Sequence, residues 1–213
     1  MAEIADVELG RRPKRNGKKP ALTQLCELSS LRRAWEGIGK NPHSFGIDNV
    51  SIEAFRNNLE PELARIRMEL RSKTYRFQKL RGVPIPKAGS DKIRPIQVPA
   101  VRDRVVAKAL AQLIAPDLRK FDHNFSFGYR TGLSRNDAIS AIHKAAASGL
   151  GWVLEADITN FFGEVNNELL FAKLFNAVGR PSVKKLLMAA VVSEIGNRDE
   201  IASSRFGGYS LRR

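Results

Sequence analysis

The hydrophobic positions change period several times along this chain, and each change marks an element. LTQLCELSSLRRAWEGIG carries Leu25, Leu28, Leu31 and Trp35 at three- and four-residue spacing, which predicts one helix, followed by the turn-rich GKNPHSFGID. Ser51 is a good N-cap for the next helical stretch, and Pro61 restarts it as PELARIRMELRSK, with Leu63, Ile66, Arg67 and Leu70 on one side. The period then shortens. Leu80 to Pro86 and Ile93 to Val98 are extended runs flanking AGSD, a turn tetrad, and together predict a β-hairpin that its prolines keep at a sheet edge or on an arm. From Val101 a broad stripe of Val105, Val106, Leu110, Leu113 and Ile114 predicts a helix that Pro116 closes.

The second half alternates in the same way. NFSFGYRTG places Phe125, Phe127 and Tyr129 on one face of an extended segment. Ser134 caps a helix, SRNDAISAIHKAAASG, which Gly149 ends. WVLEADI reads as a second apolar strand, and NNELLFAKLFNAVG and PSVKKLLMAAVVSEIG as two further helices, Pro181 opening the second. The closing NRDEIASSRFGGYSLRR has no clear period, and no internal repeat is found. These elements predict an α/β (α+β) and mostly helical protein, divided into a basic arm at 1–20, a helical and hairpin region at 21–150, and a strand-plus-helices region at 151–213.

Composition adds a partner class. With 213 residues, 43% hydrophobic and 8% aromatic, the chain has the material for a core. The net charge of +14 points to a polyanion, nucleic acid first and an acidic membrane second. Residues 71–120 hold 13 Lys/Arg against 3 Asp/Glu, interleaved with apolar positions, so this charge sits on a folded surface; Arg71, Lys73, Arg76, Lys79, Arg81, Arg102 and Arg104 are the candidate nucleic-acid contacts. RRPKRNGKK at 11–19 reads instead as a solvated arm. No apolar run reaches the length of a membrane span, and the N-terminus lacks the apolar core of a secretory signal, so a cytoplasmic location without membrane attachment is expected. A single cysteine, Cys26, forms no internal disulfide, and His43, His123 and His143 share no zinc-ligand spacing with it.

Candidate chemistry centres on LEADITNFFGEVNN. Read alone, Asp157 is an N-cap or turn residue, although Glu155 shares its strand face and a paired acidic site is open. Lys87 and Arg94 flank the hairpin turn, where two cations clamp a polyphosphate or discourage edge pairing. Their order along the chain adds more. GIDNVS, KTYRF, IPK with IRPIQVP and the DRVV helix, SFGYRTG, and ADITNFFGEV follow one another as in the N-terminal half of a bacterial reverse transcriptase of the group II intron and retron type, which the chain resembles over about residues 40–175.

The resemblance implies fingers with a β-hairpin followed by the first part of a palm, and RNA-directed DNA polymerase activity on an RNA template and primer with deoxynucleotides. It implies that Asp157 and the backbone carbonyl of Ile158 ligate Mg²⁺ in a two-metal centre, Asp157 being catalytic. It also implies that Phe162 lies under the nucleotide sugar, that Lys87 and Arg94 contact the triphosphate, and that Arg130 helps shape the nucleotide pocket. The chain departs from the pattern at Gly163, Asn166 and Asn167, where the family has an aspartate and then a histidine. Beyond residue 175 it carries neither G-x-P-Q-G nor Y-x-D-D, the latter supplying the other two metal-binding aspartates. A truncated, frameshifted or split polymerase is therefore expected, inactive alone and completed by a second polypeptide carrying the rest of palm and thumb. The alternative is a non-catalytic, maturase-like RNA-binding module, and a third reading is a poorly folding remnant.

Overall fold

The computed structural model describes residues 20–38, 41–86, 93–158, 161–192 and 196. The first predicted helix is two, α1 (Ala21–Leu25) and α2 (Leu28–Glu36), interrupted at Cys26 and Glu27. The break lets both short helices turn apolar residues inward: Leu25, Leu31 and Ala34 are buried, and Trp35 packs its ring 5.2 Å from that of Phe55. The Ser51 side chain accepts from the Ala54 amide at 3.1 Å and so caps α3 (Ile52–Asn57), as expected of a serine at that position. α4 (Leu59–Arg71) begins two residues before Pro61 and buries Leu63, Ile66 and Leu70.

The hairpin forms over the two predicted runs. β1 (Arg81–Pro86) pairs antiparallel with β2 (Ile93–Val98), Arg81 opposite Val98 and Ile85 opposite Arg94. Its turn, with Lys87, lies outside the described residues. α5 runs Val101–Leu118, so Pro116 sits inside its last turn instead of closing it, and a 3-10 turn at Arg119–Phe121 ends the segment. A proline removes only one N–H and its helix bond, and here the helix ends within two residues of it.

α6 (Arg135–Ala147) starts on a full capping box, Ser134 and Asp137 bonding each other's backbone amides. Its chain leaves through Gly149 at φ +95°, a left-handed position suited to glycine. α7 (Phe161–Glu164) is one turn, α8 (Asn167–Val178) is capped by Asn166 and closed by Gly179 at φ +58°, and a 3-10 turn at Pro181–Val183 leads into α9 (Lys184–Val191).

One core joins α1 to α5 with α8, the 3-10 turn at Pro181–Val183 and α9. Val101, Val105, Val106 and Leu110 of α5 share one buried cluster with Leu31 and Ala34 of α2 and with Val178, Val183 and Leu187. The core therefore crosses the boundary drawn at residue 150. A half-buried ion pair fastens that crossing, the Arg180 guanidinium donating to Asp117 at 2.5 Å.

Two expectations fail between residues 122 and 158. NFSFGYRTG is a series of turns, not an extended segment, with Tyr129 left-handed (φ 58°) and fully exposed and Phe125 76% exposed. WVLEADI has strand alternation but no strand: residues 151–158 pair with nothing described, and Trp152, Val153 and Leu154 are 99%, 89% and 93% exposed. A single strand is not stable by itself, because its backbone polar groups are satisfied only by a neighbour, and none of the described residues supplies one.

Candidate nucleic-acid and metal site

Two surfaces carry the candidate residues. The first runs from the C-terminus of α4 into the hairpin. Arg71, Lys73, Arg76 and Lys79 are exposed along it, with Lys73 held in the left-handed region at φ 60°. Arg76 donates to the Lys73 and Tyr75 carbonyls at 3.2 and 2.9 Å, which ties its guanidinium to this turn. Arg81 lies over the Phe45 ring, 3.9 Å from its centroid, which links the first strand to the loop before α3.

Arg102 and Arg104 are placed differently. The Arg102 guanidinium pairs with Glu69 and lies 5.1 Å from the Tyr75 ring centroid. Arg104 donates to the Pro99 carbonyl and the Ser44 hydroxyl, both at 2.9 Å, and burial holds its pKa below the ordinary arginine value. Both cations thus join elements of the fold, whereas the four on the turn face solvent.

Beside Arg102 lies a buried polar anchor. The Tyr75 hydroxyl donates to Asp103 at 2.5 Å, and the Gln78 amide donates to the other oxygen of the same carboxylate at 2.9 Å. Asp103 is 2% exposed. Burial pushes its pKa up, against the hydrogen bonds that favour the carboxylate; burial and the neighbouring Asp103 charge raise that of Tyr75. The anchor fixes residues 75–78, which lead into β1, to the first turn of α5. Its sequence signal is an acid, Asp103, set between Arg102 and Arg104 at the start of the apolar stripe of α5.

The loop before α3 is seated on the same helix start. A Cβ on Gly46 would stand 2.4 Å from the Ala100 Cα and 2.5 Å from its nitrogen, so no side chain fits between loop and helix. GIDNVS and the N-cap of the DRVV helix, far apart in sequence, are thereby in contact.

The second surface holds Asp157 and Ile158. Both are exposed on the unpaired segment before α7. Phe162 lies in α7 and Arg94 on β2, the side chains of both outside the described set. Arg130 is engaged within its own loop: one nitrogen donates to the His123 and Ser126 carbonyls at 2.8 and 3.0 Å, and another lies 3.3 Å from Asp122. Among the described residues no three His, Cys, Asp or Glu side chains are grouped to hold a metal ion. Asp157 and the Ile158 carbonyl offer one carboxylate and one carbonyl, which do not fit a pair of divalent ions by themselves. No described helix is long and apolar enough to cross a membrane.

Comparison with known proteins bears on this arrangement. The family model described as reverse transcriptase (RNA-dependent DNA polymerase) matches residues 85–208, more than half of the chain. The chain belongs to the reverse transcriptase family. Protein YkfC of Escherichia coli (strain K12) is 34% identical over 136 residues, 62% of this chain and 35% of the relative. The group II intron-encoded protein LtrA of Lactococcus lactis subsp. cremoris is 27% identical over 111 residues, 52% of this chain and 18% of the relative. Among solved structures, a chain of a partial Cas6-RT-Cas1–Cas2 complex aligns over 92% of this reverse transcriptase chain and 32% of its own, at 26% identity and TM-score 0.55. The chain spans about a third or less of the length of each of these relatives. The mostly helical architecture with one antiparallel hairpin is that of reverse transcriptase fingers joined to the first part of a palm.

Proposed function

We propose that the chain supplies the fingers and the first palm element of an RNA-directed DNA polymerase, and that further palm segments must join it before nucleotidyl transfer occurs. The observation that carries this reading is the segment 152–158. It has the alternation of a buried strand, exposes Trp152, Val153 and Leu154 almost completely, and ends on Asp157. A neighbouring palm strand would satisfy its backbone, cover its apolar side and bring carboxylates towards Asp157.

In this reading Asp157 and the Ile158 carbonyl would hold Mg²⁺ once further carboxylates are supplied, and the ion would supply Lewis-acid activation of a primer hydroxyl and neutralise triphosphate charge. Arg71, Lys73, Arg76 and Lys79 follow the phosphates of template or primer. Lys87 and Arg94 contact the triphosphate, and Phe162 contacts the sugar. Arg130 acts on the nucleotide pocket through the loop it holds together, not by direct contact.

The test is primer extension on an RNA template with Mg²⁺ and four deoxynucleotides. The chain alone should give none. Activity should return when a palm segment bearing Y-x-D-D is supplied in cis or in trans, and Asp157→Ala should abolish it. Extension by the lone chain that Asp157→Ala removes would overturn the requirement for a second segment. A second reading, an RNA-binding module without synthesis, rests on the four exposed cations of the turn after α4. Under it, RNA binding persists while no supplied palm segment restores extension.

A further inference from the structure

A cavity of about 500 Å³ opens between α1, the turn after α4, and α9. Leu22, Leu70 and Leu186 line its apolar part, and Lys73, Arg76 and Lys185 bring three cations to it without any acidic residue in the lining. The Leu22 amide donates to Ser182 at 3.3 Å, so the start of α1 and the turn before α9 are joined at the cavity edge. An aliphatic wall with a cationic rim suits an acidic segment bearing aliphatic side chains. It suits an unstacked base less well, because base platforms are aromatic and the one lining ring, Tyr75, is buried with its hydroxyl turned to Asp103.

The chain contains such a segment. MAEIADVEL, residues 1–9, has Glu3, Asp6 and Glu8 and no Lys or Arg, with Ile4 and Val7 three residues apart. It is joined to the fold at α1, whose second residue, Leu22, lines the cavity. Thirteen residues lead from Leu9 to Leu22, up to roughly 43 Å of chain, enough length to return to the cavity beside that anchor. We infer that residues 1–9 dock in this cavity of their own chain, Ile4 and Val7 against the leucines and the three acids against Lys73, Arg76 and Lys185. The docked segment covers two of the four solvent-facing cations of the turn after α4, and so competes in cis with a polyanion for that surface.

Zero-length carbodiimide cross-linking of the full chain, read by peptide mass spectrometry, tests this directly. Amide bonds should form between Glu3, Asp6 or Glu8 and Lys73 or Lys185, should persist on dilution, and should be lost in Ile4→Ser/Val7→Ser, which keeps every charge. Bonds confined to Lys14, Lys18 and Lys19 would mean that the acids pair only with the adjacent arm and would overturn the inference. Bonds that vanish on dilution would assign the cavity to a second copy, and bonds unchanged in the serine variant would remove the apolar seat; either outcome overturns it too. Binding of a fluorescent oligouridylate 12-mer supplies an independent arm: Glu3→Gln/Asp6→Asn/Glu8→Gln should tighten it about fivefold, and Lys185→Gln in that background should matter little. A 12-mer that shields Lys185 from acetylation in the full chain, with no cross-links from residues 1–9, would assign the cavity to RNA instead.

Discussion

Tyr75→Phe isolates the bond that attaches the hairpin approach to α5. Phenylalanine keeps the edge-on contact with Phe77, whose ring centroid is 5.4 Å away, and keeps the face beneath Arg102. What it removes is a 2.5 Å hydrogen bond to a carboxylate that is 2% exposed and keeps, among the described residues, the Gln78 amide as a donor. Hydrogen bonds to charged groups contribute about 1.5–3 kcal/mol, and the stranded oxygen keeps its desolvation penalty, so a loss of about 2–3 kcal/mol is expected. Urea denaturation should show a lower midpoint at unchanged m-value. Amide exchange should rise first in residues 78–86 and 93–98, ahead of the α2–α5 core, because the anchor fixes the hairpin side. A double-mutant cycle with Asp103→Asn should give a coupling of about 1–2 kcal/mol between the pair. A change below about 0.5 kcal/mol, with exchange unaltered in the hairpin, would refute the claim that this bond holds the hairpin in place.

The same hydroxyl sets an alkaline limit. Its pKa is raised from the ordinary 10.0, so the fold retains a proton that the unfolded chain releases near that pH; stability from this group is full below pH 10.0 and falls by at most about 1.4 kcal/mol per pH unit above it, a slope that should disappear in Tyr75→Phe. Gly46→Ala forces a methyl against the backbone of Ala100 and should cost about 1–3 kcal/mol by thermal or urea unfolding, with Gly128→Ala, which meets no atom within 4 Å, as a near-neutral control. Asp117→Ala leaves Arg180 half-buried without its carboxylate and should lower stability by about 3 kcal/mol; Arg180→Met combined with Asp117→Leu should recover most of it, as measured by chemical denaturation. RNA binding should weaken with salt at a log–log slope of about −3.5 to −4.5 if five phosphates are contacted, and Arg71→Ala/Lys79→Ala should flatten that slope, whereas binding insensitive to salt would remove the basic turn from the interface.

Much of this fold was written in local pattern. Ser51 and Ser134 cap their helices because a short polar side chain before an apolar stripe satisfies free amides without help from tertiary contacts. The hairpin followed from two extended runs around a turn tetrad, and its strands begin and end within a residue of those runs. The order of GIDNVS, IRPIQVP and ADITNFFGEV carried the family, because motif order survives where individual residues drift.

What tertiary structure alone decided involves groups distant in sequence. Whether a cation faces solvent or joins two elements depends on what packs beside it, so Lys73 and Arg102 are indistinguishable in a basic run, yet the first is exposed and the second pairs with Glu69. Asp103, in the first turn of α5, is the acceptor for Tyr75, 28 residues away, a pairing that no local pattern marks. The helix break at Cys26 follows from two short elements each turning into one core. WVLEADI shows the limit most plainly. Alternation specifies which face a strand would bury, but a strand exists only when a neighbour takes up its backbone hydrogen bonds, and that neighbour is not among the described residues.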